Sequence, residues 1–353
     1  MRLALIGCGR VAKHYRTILA QSSLRDVKVV GVADVDAPKR DEFALHFGAI
    51  SASSVDECIE RSNPELVVIA TPSGQHAEHT QVALELGRHV LVEKPAAMLP
   101  SQIRTLDGLA KQNRRMYGVA FQNRLNPAIQ LLRSCVDEGR LGAITSLSVR
   151  LRWSRPQSYF EDGWHGTWQM DGGVINQQAI HHVDVLQWLF GPIEEVSAAI
   201  GNRLNRLEAE DTLVASFRTG SGALGTLEAT TAARPRDYEA SLTVTAEGGV
   251  IRVGGIALNL VDEFDLVDGR ADDDERVRAS SIDVPTGYGT SHETLLRQIG
   301  DRLKMGRTDA PIDAIDSVHT CEVIHALYRS DEVHGWVSVD GSSRSARLGV
   351  GPA

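Results

Sequence analysis

The chain has 353 residues, 42% hydrophobic and 24% charged, with 32 Gly, 12 Pro and a formal net charge of −9. That length exceeds one small core and suits two domains, while the composition excludes a largely disordered or collagen-like chain. The acidic balance argues against a nucleic-acid binder with a broad basic face, and no apolar run approaches the roughly 20 residues of a membrane span. The N-terminus runs straight into a glycine turn with no cleavage site. Cys8, Cys58, Cys135 and Cys321 lie far apart without a C-x-x-C pair. The expectation is a soluble, cytoplasmic protein with reduced thiols.

Short apolar runs come first: Leu3–Ile6, Val27–Ala33, Leu66–Ala70, His89–Val92 and Met116–Ala120. Helical patterns over Val11–Leu19, Gln75–Leu86 and Gln102–Gln112 lie between them, with Gly7, Gly74 and Gly87 at the joints. This alternation predicts an α/β domain over residues 1–120, a parallel sheet covered on both faces. Past about residue 142 the pattern changes. Thr145–Trp153, Thr212–Phe217, Ala223–Ala229 and Ser241–Ala246 alternate inward and outward residues, which describes an antiparallel sheet. An apolar helix over Gly173–Leu189 interrupts the first two of these strands, and helices over Thr290–Lys304 and Asp313–Tyr328 are expected to pack back on the remainder. Residues 121–338 read as a second, α+β domain, with a terminal helix open to packing on the first domain, Asp272–Glu275 as a solvated loop and residues 339–353 as a frayed tail.

Gly7-Cys8-Gly9-Arg10-Val11-Ala12 matches G-x-G-x-x-G/A between a strand and a helix. Gly7 allows the tight turn, Gly9 lets a pyrophosphate approach the backbone, Ala12 permits close helix–strand contact, and the helix start at Arg10 and Val11 offers unpaired N–H groups. The next strand ends in Asp34, where a carboxylate meets the ribose hydroxyls of a dinucleotide and repels a 2′-phosphate, which favours NAD over NADP. The competing reading is a plain glycine turn with an aspartate that caps something local.

Leu91-Val-Glu93-Lys94-Pro95 ends the fifth strand, so a parallel sheet delivers Glu93 and Lys94 to the ligand crevice. A lysine beside a nicotinamide can hydrogen-bond a substrate hydroxyl and stabilise alkoxide character, although X-Lys-Pro also occurs as a solvated turn. Further on, Asn176, Gln177, His181 and Asp184 recur at helical spacing. A neutral imidazole there can take the proton of a hydroxyl as hydride leaves its carbon, but a lone His on an apolar helix is most often structural. His182 projects to another side.

The turn Gly7–Ala12, the Ala70-Thr71-Pro72…His76 segment, Glu93-Lys94-Pro95 and the Gly172-Gly173…His181 helix together resemble the Gfo/Idh/MocA family, which groups glucose–fructose oxidoreductase, inositol dehydrogenase and rhizopine-catabolism proteins. The resemblance covers nearly the whole chain. It implies an N-terminal Rossmann domain, a C-terminal substrate-binding domain with an open, mostly antiparallel sheet, and pyridine-nucleotide chemistry on a sugar or cyclitol hydroxyl. It further implies pairing through that sheet as a homodimer or homotetramer. Position by position it assigns catalysis to Lys94 and His181, and it adds Thr71, Pro72, His76, Glu93 and Gln122 to the cofactor-binding residues. The departure is Gln177, where many polyol-oxidising members carry aspartate; glutamine can hydrogen-bond a substrate but holds no proton. The Asn-Gln-x-x-x-His form is similar to nucleotide-sugar branches, notably UDP-N-acetylglucosaminuronate 3-dehydrogenases.

Arg124 follows the sixth strand, and Arg150, Arg152, Trp153, Arg155, Tyr159, Trp164, His165 and Trp168 crowd one short segment. Guanidinium forks suit carboxylate or phosphate and indole faces suit a sugar or base, so Arg124, Trp168, Asn176 and Gln177 are the expected substrate contacts. The alternative is an aromatic subunit interface or core lid. His292, after Gly287-Tyr288-Gly289, is a further crevice candidate, and no spacing suggests a metal. The sequence thus points to an NAD-dependent dehydrogenase of a sugar or nucleotide sugar. An inositol or simple-aldose dehydrogenase is the enzyme alternative, and a dinucleotide-binding sensor the alternative from another class.

Overall fold

The computed structural model describes residues 1–350 and divides into two units, residues 1–121 with 292–318, and residues 122–291 with 319–350. The chain opens with β1 (Arg2–Ile6), α1 (Arg10–Ile18), β2 (Lys28–Ala33), α2 (Ala37–Phe47), β3 (Ile50–Ala52), α3 (Val55–Ser62), β4 (Leu66–Ile69), α4 (His76–Glu85), β5 (His89–Val92), α5 (Pro100–Gln112) and β6 (Tyr117–Val119). These strands form one parallel sheet in the order β3-β2-β1-β4-β5-β6. Leu3, Leu5, Leu66, Val68 and Leu91 are fully buried, as a sheet covered on both faces requires. The winding reverses between β1 and β4, and the carboxyl ends on either side of that point are where open α/β sheets take ligands. Strand β3 has three residues, too few to show as an apolar run.

The second stretch carries α6 (Pro127–Asp137), β7 (Ile144–Arg152), a π-helical turn over Ile175–Ala179, α7 (Ile180–Phe190), β8 (Ile193–Gly201), β9 (Thr212–Thr219), β10 (Leu224–Thr230), β11 (Glu239–Ala246), β12 (Gly249–Gly254), β13 (Leu260–Leu266) and α8 (Asp273–Ser280). Helix α9 (Ser291–Lys304) then enters the first unit, and α10 (Val318–Val333) and β14 (Val337–Ser338) complete the second. The second sheet runs β13-β12-β11-β7-β10-β9-β8-β14. It is mostly antiparallel, with β7 and β10 the parallel pair. Val183 and Leu186 of α7 and Val323 and Leu327 of α10 meet Val149, Val196, Phe217 and Leu227 on one face of this sheet.

Long-range contacts place one helix that the sequence left open and overturn two expectations, the solvated acidic loop and the frayed tail. Residues 292–318 belong to the first unit, where Leu295, Leu296 and Ile299 are buried and Val119 donates its N–H to the Ile312 carbonyl (3.1 Å). The acidic run at Asp272–Glu275 leads into α8 because buried Arg140 grips both oxygens of Asp273 (2.8 and 2.8 Å). The tail is pinned through residue 350. Leu348 is fully buried, Arg347 reaches Asp331 (3.0 Å) and Glu332 (3.3 Å), and Gly349 donates to the Trp168 carbonyl (2.9 Å). Among the described residues no helix is long and apolar enough to cross a membrane.

Candidate active site

In the first unit the glycine turn closes between β1 and α1. Gly7 has φ +94°, and a Cβ on it would lie 2.5 Å from the Ala70 carbonyl oxygen of the neighbouring loop. Gly9 differs. Its backbone is in the extended region (φ −77°), and a Cβ there would meet nothing within 4 Å. Nothing among the described residues therefore requires glycine at position 9, which fits a group outside the chain approaching that backbone. Gly9 also brings no capping side chain to α1, so the helix start at Arg10 and Val11 can offer its N–H groups to an anion.

Asp34 stands at the end of β2. Its carboxylate accepts the N–H of Cys8 (2.6 Å) and that of Asp36 (2.7 Å), which ties the acid to the glycine turn. Each oxygen keeps lone-pair capacity for a ribose hydroxyl. Burial, then the neighbouring Asp34, pushes the Cys8 thiol up to about 12, so it stays protonated.

Thr71 and Pro72 follow β4. The Thr71 hydroxyl lies 3.0 Å from Nδ1 of His79. His76 is enclosed, with Nδ1 facing the Pro95 carbonyl (2.7 Å) and Nε2 facing the Thr71 carbonyl (2.9 Å), so it braces the loops after β4 and β5. Burial holds its pKa below the ordinary histidine value. Glu93, at the end of β5, is buried against Tyr15 Oη (2.8 Å) and His292 Nε2 (3.4 Å). Burial alone would raise its pKa, but His292, Lys94 and Tyr15 together hold it below the usual carboxylate range. His14 packs edge-on to His292 at 4.8 Å, and burial, then His292, pushes it down to about 4. Lys94, half-buried, therefore follows a residue clamped from α1 and α9. Tyr15 and His14 escaped the sequence reading because nothing local marks them as partners of a residue some 80 positions on.

In the second unit the hydroxyl-side candidates sit on the π-turn and α7. The turn's i→i+5 bonding shifts the phase of the helix after it, so Gln177 and His181 are not related as in the regular α-helix that the spacing predicted. Asn176 donates to the Asp171 carbonyl (2.6 Å), and Gln177 donates its Nε2 to Oδ1 of Asp171. Oδ2 of Asp171 accepts the N–H of Gly166 (2.7 Å). His181 is almost fully buried at the start of α7. The adjacent His182 is buried too, and burial pushes it down to about 4, so it stays neutral at physiological pH. Gln122, at the head of this unit, has a buried Oε1 with no hydrogen-bond partner among the described residues, a polar atom that a bound ligand would satisfy.

Arg124 presents its fork to Asp184 through Nε (2.8 Å) and Nη2 (2.6 Å), and both side chains are buried. Arg152 is paired with Glu228 (2.8 and 2.9 Å), and Arg155 with Asp237 (2.9 Å) over the rings of Trp153 and Tyr159. Trp168 lies under Arg347 (4.8 Å) and edge-on to Tyr328 (5.1 Å). These arginines answer carboxylates of their own unit. Asp184→Asn, which leaves the Arg124 guanidinium buried beside a neutral amide, is expected to lower the unfolding free energy by about 3–5 kcal/mol. Urea unfolding measures this, and Arg124→Met/Asp184→Leu should recover part of the loss.

A glycine turn at a β1–α1 joint, an acid closing β2 and a lysine closing β5 at the carboxyl edge of a 3-2-1-4-5-6 sheet define a dinucleotide-binding oxidoreductase. Residues 1–121 match the oxidoreductase family's NAD-binding Rossmann fold, and residues 129–252 match the GFO/IDH/MocA C-terminal domain. The chain belongs to the Gfo/Idh/MocA family. It is similar to the WlbA dehydrogenase of Bordetella pertussis, whose structure holds NADH and UDP-GlcNAcA, with 32% identity over 96% of this chain and 97% of that one and a TM-score of 0.90. It is also similar to glucose-6-phosphate 3-dehydrogenase of Bacillus subtilis (26% identity, 61% of this chain and 62% of that protein). A further relative is inositol 2-dehydrogenase of Rhizobium meliloti (24% identity, 63% and 66%). These two matches therefore span somewhat under two thirds of either curated relative.

Proposed function

We propose that this protein oxidises a ring hydroxyl of a sugar to a ketone with NAD as hydride acceptor, and that the sugar is of the nucleotide-sugar class. The observation that carries the reading is Lys94, held at the carboxyl edge of the sheet by the clamp on Glu93, in the unit whose open Gly9 backbone suits a pyrophosphate. Gly7, Gly9, Arg10, Val11 and Asp34 hold the dinucleotide, with Thr71, Pro72, His76, Glu93 and Gln122 shaping its surroundings, and the nicotinamide supplies a hydride acceptor. Lys94 donates a hydrogen bond to the substrate oxygen and stabilises the charge that develops there. His181 takes the hydroxyl proton, and Asn176, Gln177 and Trp168 recognise the sugar, whereas Arg124, expected as a substrate contact, has its fork taken by Asp184 and anchors α7 instead. The choice of a nucleotide sugar over an inositol rests on the Asn-Gln-x-x-x-His pattern and the 32% likeness to the WlbA dehydrogenase.

The test is reduction of NAD, and separately NADP, followed by absorbance across UDP-sugars, UDP-uronic acids, free pyranoses and inositols. Turnover with NAD and a nucleotide sugar is expected. Turnover with inositol alone would establish the alternative substrate class, and tight NADH binding without turnover of any polyol would mark a sensor.

The same reading makes the protein a homodimer or homotetramer through the second sheet. One face of that sheet is covered by α7 and α10, while the other presents the row Thr243, Ser148, Thr226, Ser216 and Ser197, small uncharged side chains suited to flat packing against a second copy. Four separate buried thiols suit a reducing compartment, which we read as the cytoplasm.

A further inference from the structure

The π-turn that carries Asn176 and Gln177 starts without a capping side chain of its own. Its first N–H groups are satisfied from elsewhere in the second unit. Gly173 donates to the hydroxyl of Tyr328 (3.1 Å), Val174 to the carbonyl of Glu210 (3.0 Å) and Ile175 to Oε1 of Glu210 (2.9 Å). Tyr328 in turn donates to the same Oε1 (3.1 Å). The fit is close: a Cβ on Gly173 would lie 2.2 Å from the Glu210 carbonyl oxygen and 2.3 Å from its Cδ. Glu210 is 1% exposed, its Oε2 has no hydrogen-bond partner, and no cation pairs with it among the described residues. The titratable groups that face it are Tyr328 from α10 and Asp171 from the segment before the turn. The neighbouring Asp211 is turned away, its carboxylate taking the N–H groups of Arg203, Leu204 and Asn205 (2.8, 2.9 and 2.8 Å).

We propose that Glu210 is a positioning residue for the hydroxyl-side residues: as a neutral carboxylic acid it caps, with Tyr328, the start of the turn that presents Asn176 and Gln177 and leads into His181. A bare buried oxygen beside a second carboxylate favours the protonated form. Burial pushes the pKa of Glu210 up to about 8; hydrogen bonds from Ile175 and Tyr328 restrain the rise, and Asp171 adds to it. When Glu210 ionises, its charge faces Asp171 without a counter-ion and the cap loosens. Only the effect on turnover rests on the proposed function.

The experiment follows hydrogen–deuterium exchange of the 173–181 amides, corrected for intrinsic rate, in wild type, Glu210→Gln and Glu210→Ala. Measurements are made near neutrality and about one unit above the pKa of Glu210. Wild type is expected to lose protection across that interval, Glu210→Gln to keep it at both values, and Glu210→Ala to lack it at both. In turnover, Glu210→Ala should lower kcat by about a hundredfold while leaving the KM for NAD unchanged, and Glu210→Gln should abolish the alkaline limb near Glu210's pKa. Wild-type protection in Glu210→Ala, or a wild-type alkaline transition in Glu210→Gln, overturns the proposal; the second result decides it even where Glu210→Ala fails to fold. The expected protection pattern in a protein that oxidises no sugar sinks the proposed function and leaves the positioning role standing.

Discussion

Lys94→Met is expected to lower kcat/KM by about 10²–10³-fold, the usual loss when a donor aimed at developing oxyanion charge is removed. Methionine matches the lysine stem in length, so the loss reports the ammonium group. NADH affinity should stay close to wild type, because the proposed site holds the nucleotide on the backbone cradle at Gly7–Ala12 and the carboxylate of Asp34 without Lys94. The base under Lys94 is also undisturbed: Glu93 remains clamped by Tyr15 and His292. Steady-state turnover with an NADH fluorescence titration checks both halves. Wild-type turnover in Lys94→Met would remove the mechanism.

The two glycines of the turn should separate stability from binding. Gly7→Ala places a methyl 2.5 Å from a backbone oxygen, 2.7 Å from a backbone carbon and 2.9 Å from the Thr71 nitrogen at φ +94°. None of these neighbours is a flexible side-chain end. Left-handed backbone strain of about 1–2 kcal/mol and overpacking of about 1–3 kcal/mol add to an expected loss of roughly 2–5 kcal/mol in unfolding free energy. Gly9→Ala meets no atom within 4 Å and no strained φ, so the folded protein should keep its stability. Its methyl instead occupies the approach to the α1 N-terminus, and NADH affinity should fall by about tenfold or more, roughly 1.4 kcal/mol. Urea unfolding and NADH titration of both variants decide the matter. Unchanged NADH affinity in Gly9→Ala would mean that the phosphates bind elsewhere.

The first unit was largely legible because its signals are local. Five of its strands are apolar runs of four to seven residues, and the glycine turn and Asp34 occupy consecutive joints of one βαβ unit. In the second unit the alternation of β7, β9, β10 and β11 was readable, whereas β8 lacks strict alternation, its two buried residues, Ile193 and Val196, standing three apart. The parallel pairing of β7 with β10 left no mark in either strand, since register depends on the partner.

By itself the sequence determined the strand–helix alternation of the first unit, the glycine turn between β1 and α1, and the two candidates, Lys94 and His181, to which the proposed hydride chemistry is assigned. Each of these rests on periodicity or on a motif whose parts lie within one or two turns of each other. Only the tertiary structure decided that Arg124 answers Asp184, that α9 closes on the first unit, that His292 lies against Glu93, and that Glu210 and Tyr328 cap the π-turn. The physical reason is common to all four. A buried charge or an orphaned N–H group must be satisfied, but the rule does not say by which residue, and here the partners stand 35 to 199 positions away along the chain.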